Sequence, residues 1–256
     1  MEDFFELAAQ VSAGLTEMPL EPCCLELAEP DVGVGLDRLA ARGVRDVVVM
    51  PLMLFAAGHV RYDIPAAVAT AAARHRDLII RFARHLGCDR RLADLSRRRA
   101  AEALDGSTIE DAPTALVLVG RGSNDPRATA EMHRFVARRG PGGATEVHIC
   151  FAAMAEPRLP ETLAQVARRP VQRVVVQPHL LFPGRLADGI EAQVGDVATE
   201  SRDRQWRTAA VLGPHRLLVL AVLARIAAAR GGRGHVERTI AVGSAHANDD
   251  PTRDSG

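Results

Sequence analysis

Lysine is absent from this chain, and all 32 basic residues are arginine. Any grip on a carboxylate must therefore be made by guanidinium forks, whose planar donors suit that geometry. Codon bias produces the same absence, so it does not by itself mark a site. Aromatic residues make up 4% of the chain, too few for platforms on which nucleobases stack. The formal net charge is zero, so no overall field draws nucleic acid or an anionic membrane. No run is apolar enough to cross a bilayer. The opening Met1-Glu2-Asp3-Phe4-Phe5 is acidic, the opposite of a secretion signal. The four cysteines, Cys23, Cys24, Cys88 and Cys150, form neither a metal nor a disulfide spacing. They read as structural thiols in a reducing cytosol. These absences point to a cytoplasmic protein with no nucleic-acid and no membrane partner.

What the chain does have is a near-repeat, offset by about 127 residues. The first half carries Leu25-Glu26-Leu27-Ala28-Glu29-Pro30, an apolar run from Val47 to Leu54, then Phe55-Ala56-Ala57-Gly58-His59-Val60. The second carries Ala152-Ala153-Met154-Ala155-Glu156-Pro157, a run from Arg173 to Pro178, then Leu181-Phe182-Pro183-Gly184-Arg185-Leu186. The copies disagree where chemistry is at stake: Glu26 faces Ala153 in the alignment, and His59 faces Arg185. A duplicated fold that keeps a His and a carboxylate in only one copy reads as one working site and one scaffold copy.

Apolar runs alternate with amphipathic stretches, which predicts an α/β fold with parallel sheets flanked by helices. Asp46 to Leu54 is apolar without a break after its first residue, as expected of a strand covered on both faces. Asp63 is expected to cap a helix with Pro65 in its first turn. The expected domains are residues 1–104, a linker at 105–112, and residues 113–230; the Gly-, Arg- and Asp-rich residues 231–256 read as a loose tail. The second half opens with a strand, Thr114 to Gly120, and a turn, Gly120-Arg121-Gly122-Ser123-Asn124-Asp125-Pro126. The first half opens inside the following helix. The counterpart of Arg121 would lie about seven or eight residues before Met1, so the first domain is expected to lack one strand.

In an open parallel sheet, ligands bind beyond the carboxyl ends of the strands. Glu26 and the stretch Phe55 to Val60 both fall at such ends. An imidazole and a carboxylate converging there would suit a divalent first-row metal. Gly58, having no Cβ, lets the backbone beside His59 approach a flat ligand. A His beside a Gly after a strand is also what an ordinary loop looks like, and Glu26 alone could be a surface carboxylate. The turn from Gly120 to Ser123 could cradle a phosphate at a helix N-terminus, but it lacks the third glycine of the dinucleotide pattern. His179 follows Pro178 at a strand end and is a further candidate. His75, His85, His133, His148, His215, His235 and His246 show no ligand spacing and read as surface residues.

The stretch Val48-Val49-Met50-Pro51-Leu52-Met53-Leu54-Phe55-Ala56-Ala57-Gly58-His59-Val60-Arg61-Tyr62-Asp63-Ile64-Pro65 closely resembles the signature of the CbiX-type sirohydrochlorin chelatases, in their long, duplicated form. Leu25 to Pro30 resembles a second motif of that family. Gly120 to Pro126 resembles its opening Gly-His-Gly-Ser-Arg-Asp-Pro motif, with Arg121 in place of His. The resemblance implies two similar class II chelatase domains and insertion of Co²⁺ or Fe²⁺ into sirohydrochlorin, in cobalamin or sirohaem biosynthesis. It implies no permanently bound cofactor, the metal being a substrate, and it admits contact with other tetrapyrrole-pathway enzymes. It makes His59 a metal ligand and proton acceptor and Glu26 its assisting carboxylate, with Leu54, Phe55, Ala56, Ala57 and Gly58 against the tetrapyrrole. The family's opening-motif His has no counterpart at the start of this chain, as after a misplaced start codon or a truncation. The expectation is impaired turnover, or alternatively a catalytically inactive protein that binds metal or tetrapyrrole.

Overall fold

The computed structural model describes residues 1–16, 18–25, 28–56, 58–231 and 238–243; for residue 59 and residues 238–243 it describes the backbone. The chain divides into two units, one comprising Met1–Met53, Gly58–Leu86 and Val222–Gly256, the other Leu54–Ala57 and Gly87–Ala221.

In the first unit, β2 (Asp46–Leu52) is buried at all seven positions. Its valines and Met50 have no solvent-facing side, which is why the run does not alternate. Asp46, the one carboxylate in it, is paired with Arg81 at 3.0 Å. β1 (Leu20–Cys24) and β3 (Ile79–Phe82) are parallel strands of the same sheet. Helix α1 (Glu2–Ala13) buries Phe4, Leu7, Ala8 and Val11, the i, i+3, i+4, i+7 stripe that a core-facing helix requires. α2 (Val32–Ala41) starts where the Asp31 carboxylate accepts the Val34 N–H at 2.7 Å. It lays Val32, Leu36 and Leu39 on Cys23, Val47 and Val49. Its Gly35 packs so closely that a Cβ there would sit 3.3 Å from the Cys23 Sγ.

The helix after β2 begins earlier than Asp63. A π-helical turn, His59–Asp63, runs directly into α3 (Ile64–Ala72), and Asp63 is itself helical and does not cap α3 with its side chain. Pro65 has no N–H to donate back to the turn before it, so the α hydrogen-bond pattern is not enforced there and the wider turn fits.

The second unit is built the same way. β4 (Thr114–Gly120) is buried throughout and lies between β5 (Glu146–Phe151) and β6 (Arg173–Pro178), with β7 (Gln205–Thr208) beyond β6; every pairing is parallel. α5 (Pro126–Arg139) is capped by Asp125, which accepts the Arg127 N–H at 2.9 Å, with Pro126 in its first turn. α6 (Leu159–Val166) and α7 (Arg185–Glu200) bury Leu163, Val166, Ile190 and Val194 against Val117, Val119, Val174 and Val176.

Two features depart from the sequence reading. First, α4 (Arg90–Glu102) belongs to the second unit, while α8 (Arg216–Arg230) passes into the first unit at Val222. Residues 105–112 are therefore not where the units divide. They form a turn and a 3₁₀ segment, Ile109–Asp111, closed by reciprocal bonds between Thr108 and Asp111. Polar pairing explains the placement of α4: the Ser96 hydroxyl bonds to Gln177 Oε1 of β6 at 3.1 Å, and Gln177 Nε2 donates to the Ser96 carbonyl at 2.8 Å.

Second, the first sheet is not short of a strand. Arg238–Gly243, in the stretch read as a loose tail, forms β8 and lies between β1 and β2. The orders are β1-β8-β2-β3 and β5-β4-β6-β7, so β8 takes in one sheet the place β4 takes in the other. The registers agree: Gly243 pairs with Cys24 as Gly120 pairs with Phe151, and Val242 pairs with Pro51 as Val119 pairs with Pro178. Residues 232–237 and 244–256 lie outside the described residues.

Candidate functional site

The carboxyl end of the first sheet is where the expected residues gather in sequence. Glu26, two residues beyond Cys24, lies outside the described residues, as does Ala57. His59 opens the π-helical turn that follows β2. Gly58 beside it is exposed, and among the described residues a Cβ there would meet no atom within 4 Å. Neither packing against the described residues nor a left-handed conformation demands glycine at this position.

Leu54, Phe55 and Ala56, expected against the tetrapyrrole, are half-buried and belong to the second unit. The Ala56 N–H donates to Glu131 Oε2 at 2.8 Å. The Phe55 ring lies edge-on to Phe135 at 6.3 Å and tilted over His179 at 5.4 Å. This segment is thus held by a hydrogen bond and by aromatic contacts rather than hanging as a loose loop.

His179 is a core residue. It is 1% exposed, stacks on Phe135 at 4.0 Å, and neither ring nitrogen has a hydrogen-bond partner among the described residues. Burial, helped by the Arg139 charge, pushes its pKa down to about 3, so the imidazole is neutral at pH 7. Arg139 is 2% exposed and donates from Nε to the Ser96 hydroxyl at 2.8 Å; burial and then Arg97 lower its pKa to about 10. Sequence inspection had no signal for this polar group, because its members are spread over α4, α5 and β6.

The matching end of the second sheet carries different chemistry. Gly122 has φ +92°, and a Cβ on it would fall 1.6 Å from the Ala153 carbonyl oxygen. The Ala153 N–H in turn donates to the Arg121 carbonyl at 2.8 Å. The counterpart of Glu26 is therefore an alanine held against the glycine turn. Arg121 and Arg185 supply cationic forks, which bind carboxylates and not metal ions. Among the described residues, no three His, Cys, Asp or Glu side chains lie together as a metal site. Cys23, Cys24 and Cys150 are buried thiols outside any disulfide. Burial raises the pKa of all three, that of Cys150 to about 12, so they remain protonated.

Comparison with known proteins adds the lineage. The CbiX family profile matches residues 1–103 and 115–229, once for each half. A sirohydrochlorin ferrochelatase of Priestia megaterium is 30% identical over 196 residues, 76% of this chain and 72% of that protein. A sirohydrochlorin cobaltochelatase of the same organism is 27% identical over 77% of this chain and 64% of its own length. The structure of SirB from Bacillus subtilis with Fe³⁺ shares the fold, with a TM-score of 0.79 at 24% identity over 90% of this chain and 89% of that one. With both halves matched, the chain belongs to the CbiX family.

Proposed function

We propose that this protein inserts a divalent metal, Co²⁺ or Fe²⁺, into sirohydrochlorin. The observation that carries the reading is the match of the family profile to both halves of the chain, with relatives named as a ferrochelatase and a cobaltochelatase of that same tetrapyrrole. His59 and Glu26, which face Arg185 and Ala153 in the other half, support placing the chemistry in the first unit.

Insertion exchanges two pyrrolic protons for one metal ion, so the site must hold the ion as it sheds water and must take up protons. His59 does both in turn, since a neutral imidazole near pH 7 is a metal ligand and a proton acceptor. Glu26 offsets the charge of the ion and passes the proton outward. The exposed backbone at Gly58 lets the macrocycle lie close to His59. Arginines bind the substrate's carboxylates, since this chain has no lysine for the task. The metal is a substrate, and no resident cofactor is needed. No helix among the described residues is long and apolar enough to cross a membrane, in keeping with work in the cytoplasm beside other enzymes of the tetrapyrrole pathway.

The test is anaerobic insertion of Co²⁺ and of Fe²⁺ into sirohydrochlorin, followed by the change in its absorption spectrum. Metal-dependent conversion is expected for the full chain, and background rates for His59→Ala. Binding of metal and tetrapyrrole without turnover would favour the inactive binding protein instead.

A further inference from the structure

We propose that Glu131 of α5 is a positioning residue, which holds the backbone of residues 54–56 in the form that receives the tetrapyrrole. The proposal rests on the metal-insertion reading and adds to it a group that acts through the backbone of another residue.

The segments that follow β2 and β6 are anchored alike at their start. The Gly87 N–H donates to the Leu54 carbonyl at 2.7 Å, and the Gly213 N–H donates to the Leu181 carbonyl at 2.7 Å. A phenylalanine comes next in each copy, Phe55 and Phe182. Beyond it the copies diverge. The second reaches its glycine, Gly184, through Pro183 alone, whereas the first reaches Gly58 through Ala56 and Ala57. A proline ring locks φ and carries no N–H, so Pro183 stiffens the shorter connection by its covalent structure. Ala56 and Ala57 have no such restraint, and a methyl side chain has no polar group with which to anchor itself.

Glu131 supplies the restraint from outside the segment. Its Oε2 accepts the Ala56 N–H at 2.8 Å, across 75 residues of sequence. Its Oε1 lies 3.8 Å from Nη2 of Arg134, one turn along α5. The Glu131 side chain is 13% exposed, so water competes little for the bond. α5 brings a second anchor from the same helix face: Phe135 meets the Phe55 ring edge-on, and His179 stacks on Phe135 and meets Phe55 as well. The backbone so held leads into Ala57-Gly58, small residues that a flat macrocycle can approach closely. A surface ordered before its ligand arrives spares the ordering cost on binding. The bond to Glu131 should therefore show in tetrapyrrole affinity and not in metal affinity.

The test compares the full chain with Glu131→Ala and Glu131→Gln, each checked for native far-ultraviolet circular dichroism and for its unfolding midpoint. Three quantities are read: the KM for sirohydrochlorin in Co²⁺ insertion, Co²⁺ affinity by calorimetry without tetrapyrrole, and hydrogen exchange at the Ala56 amide. Glu131→Ala should raise the KM about tenfold, the effect of losing one hydrogen bond to a charged acceptor. It should leave Co²⁺ affinity as in the full chain and speed exchange at Ala56. Glu131→Gln keeps a side-chain oxygen that can accept the same N–H, so it should hold KM and Ala56 protection near those of the full chain. A lower unfolding midpoint with weakened Co²⁺ binding, not repaired by glutamine, would show a structural role only and overturn the proposal. If Glu131→Ala matches the full chain in KM, or its Ala56 amide exchanges no faster, Glu131 does not position the segment and the metal-insertion reading stands. If the full chain shows no metal-dependent insertion, the functional reading itself fails and the role of Glu131 falls with it.

Discussion

Gly122 and Gly58 both follow strands, yet a side chain would meet different surroundings at the two positions. A side chain at 122 meets backbone at 1.6 Å in a left-handed conformation, whereas at 58 it meets open space. Gly122→Ala should therefore destabilise the second unit by more than about 1 kcal/mol, read by thermal unfolding. Gly58→Val should leave unfolding unchanged and raise the KM for sirohydrochlorin, by obstructing approach to His59. A loss of stability at 58, or none at 122, would reverse these assignments. His179 sets a third expectation. Its folded pKa of about 3 lies below the unfolded value of about 6.5, so only the unfolded chain takes up its proton between those values. This contribution to stability is complete above about pH 6.5 and is lost as pH falls toward 3, by up to about 1.4 kcal/mol per pH unit. His179→Phe, which fills a similar aromatic slot, should flatten the acid limb of a stability profile. An unchanged profile would mean that the ring charges without opening the core.

At the scale of elements, what a strand pairs with decided how well it could be read. β2 and β4 are legible because a strand buried on both faces must be an unbroken apolar run, and each is buried at every position. Both helix starts at Asp31 and Asp125 carry a side-chain acceptor that binds the first turn. β8 was not legible. Its Thr239-Ile240-Ala241-Val242 core is short, sits among glycine, arginine and aspartate, and pairs with strands far back in the sequence. The placement of α4 was hidden for a related reason, since Ser96 and Gln177 look like surface residues until they are paired. Of the candidate site, His59 and Glu26 could be singled out from the repeat, because the second copy has Arg185 and Ala153 in their places, whereas Gly58 has a counterpart in Gly184. The fixing of Phe55 and Ala56 by Phe135, His179 and Glu131 could not, because those partners are remote in sequence. If β8 is the central strand of the first sheet, Ala241→Pro should disrupt it, since proline cannot donate to a ladder with neighbours on both sides. The expected result is a lower unfolding midpoint, with early loss of amide-exchange protection in β1 and β2. Protection in those strands equal to that of the parent chain would mean that β8 is dispensable to the sheet.

For the whole molecule, duplication supplies two similar sheets, and the proposed function puts the metal chemistry in the first. The second copy's turn is occupied by the close packing of Gly122 on Ala153, and Arg185 stands where the first copy has His59. The central claim is that one imidazole-bearing strand end performs the insertion. The most direct measurement is the single-turnover rate of Co²⁺ insertion into sirohydrochlorin by the full chain, set beside His59→Ala and Arg121→Ala. We expect His59→Ala to fall to the uncatalysed rate, while Arg121→Ala keeps its single-turnover rate at saturating tetrapyrrole. Robust insertion that survives His59→Ala but is lost in Arg121→Ala would contradict the account and move the chemistry to the second unit.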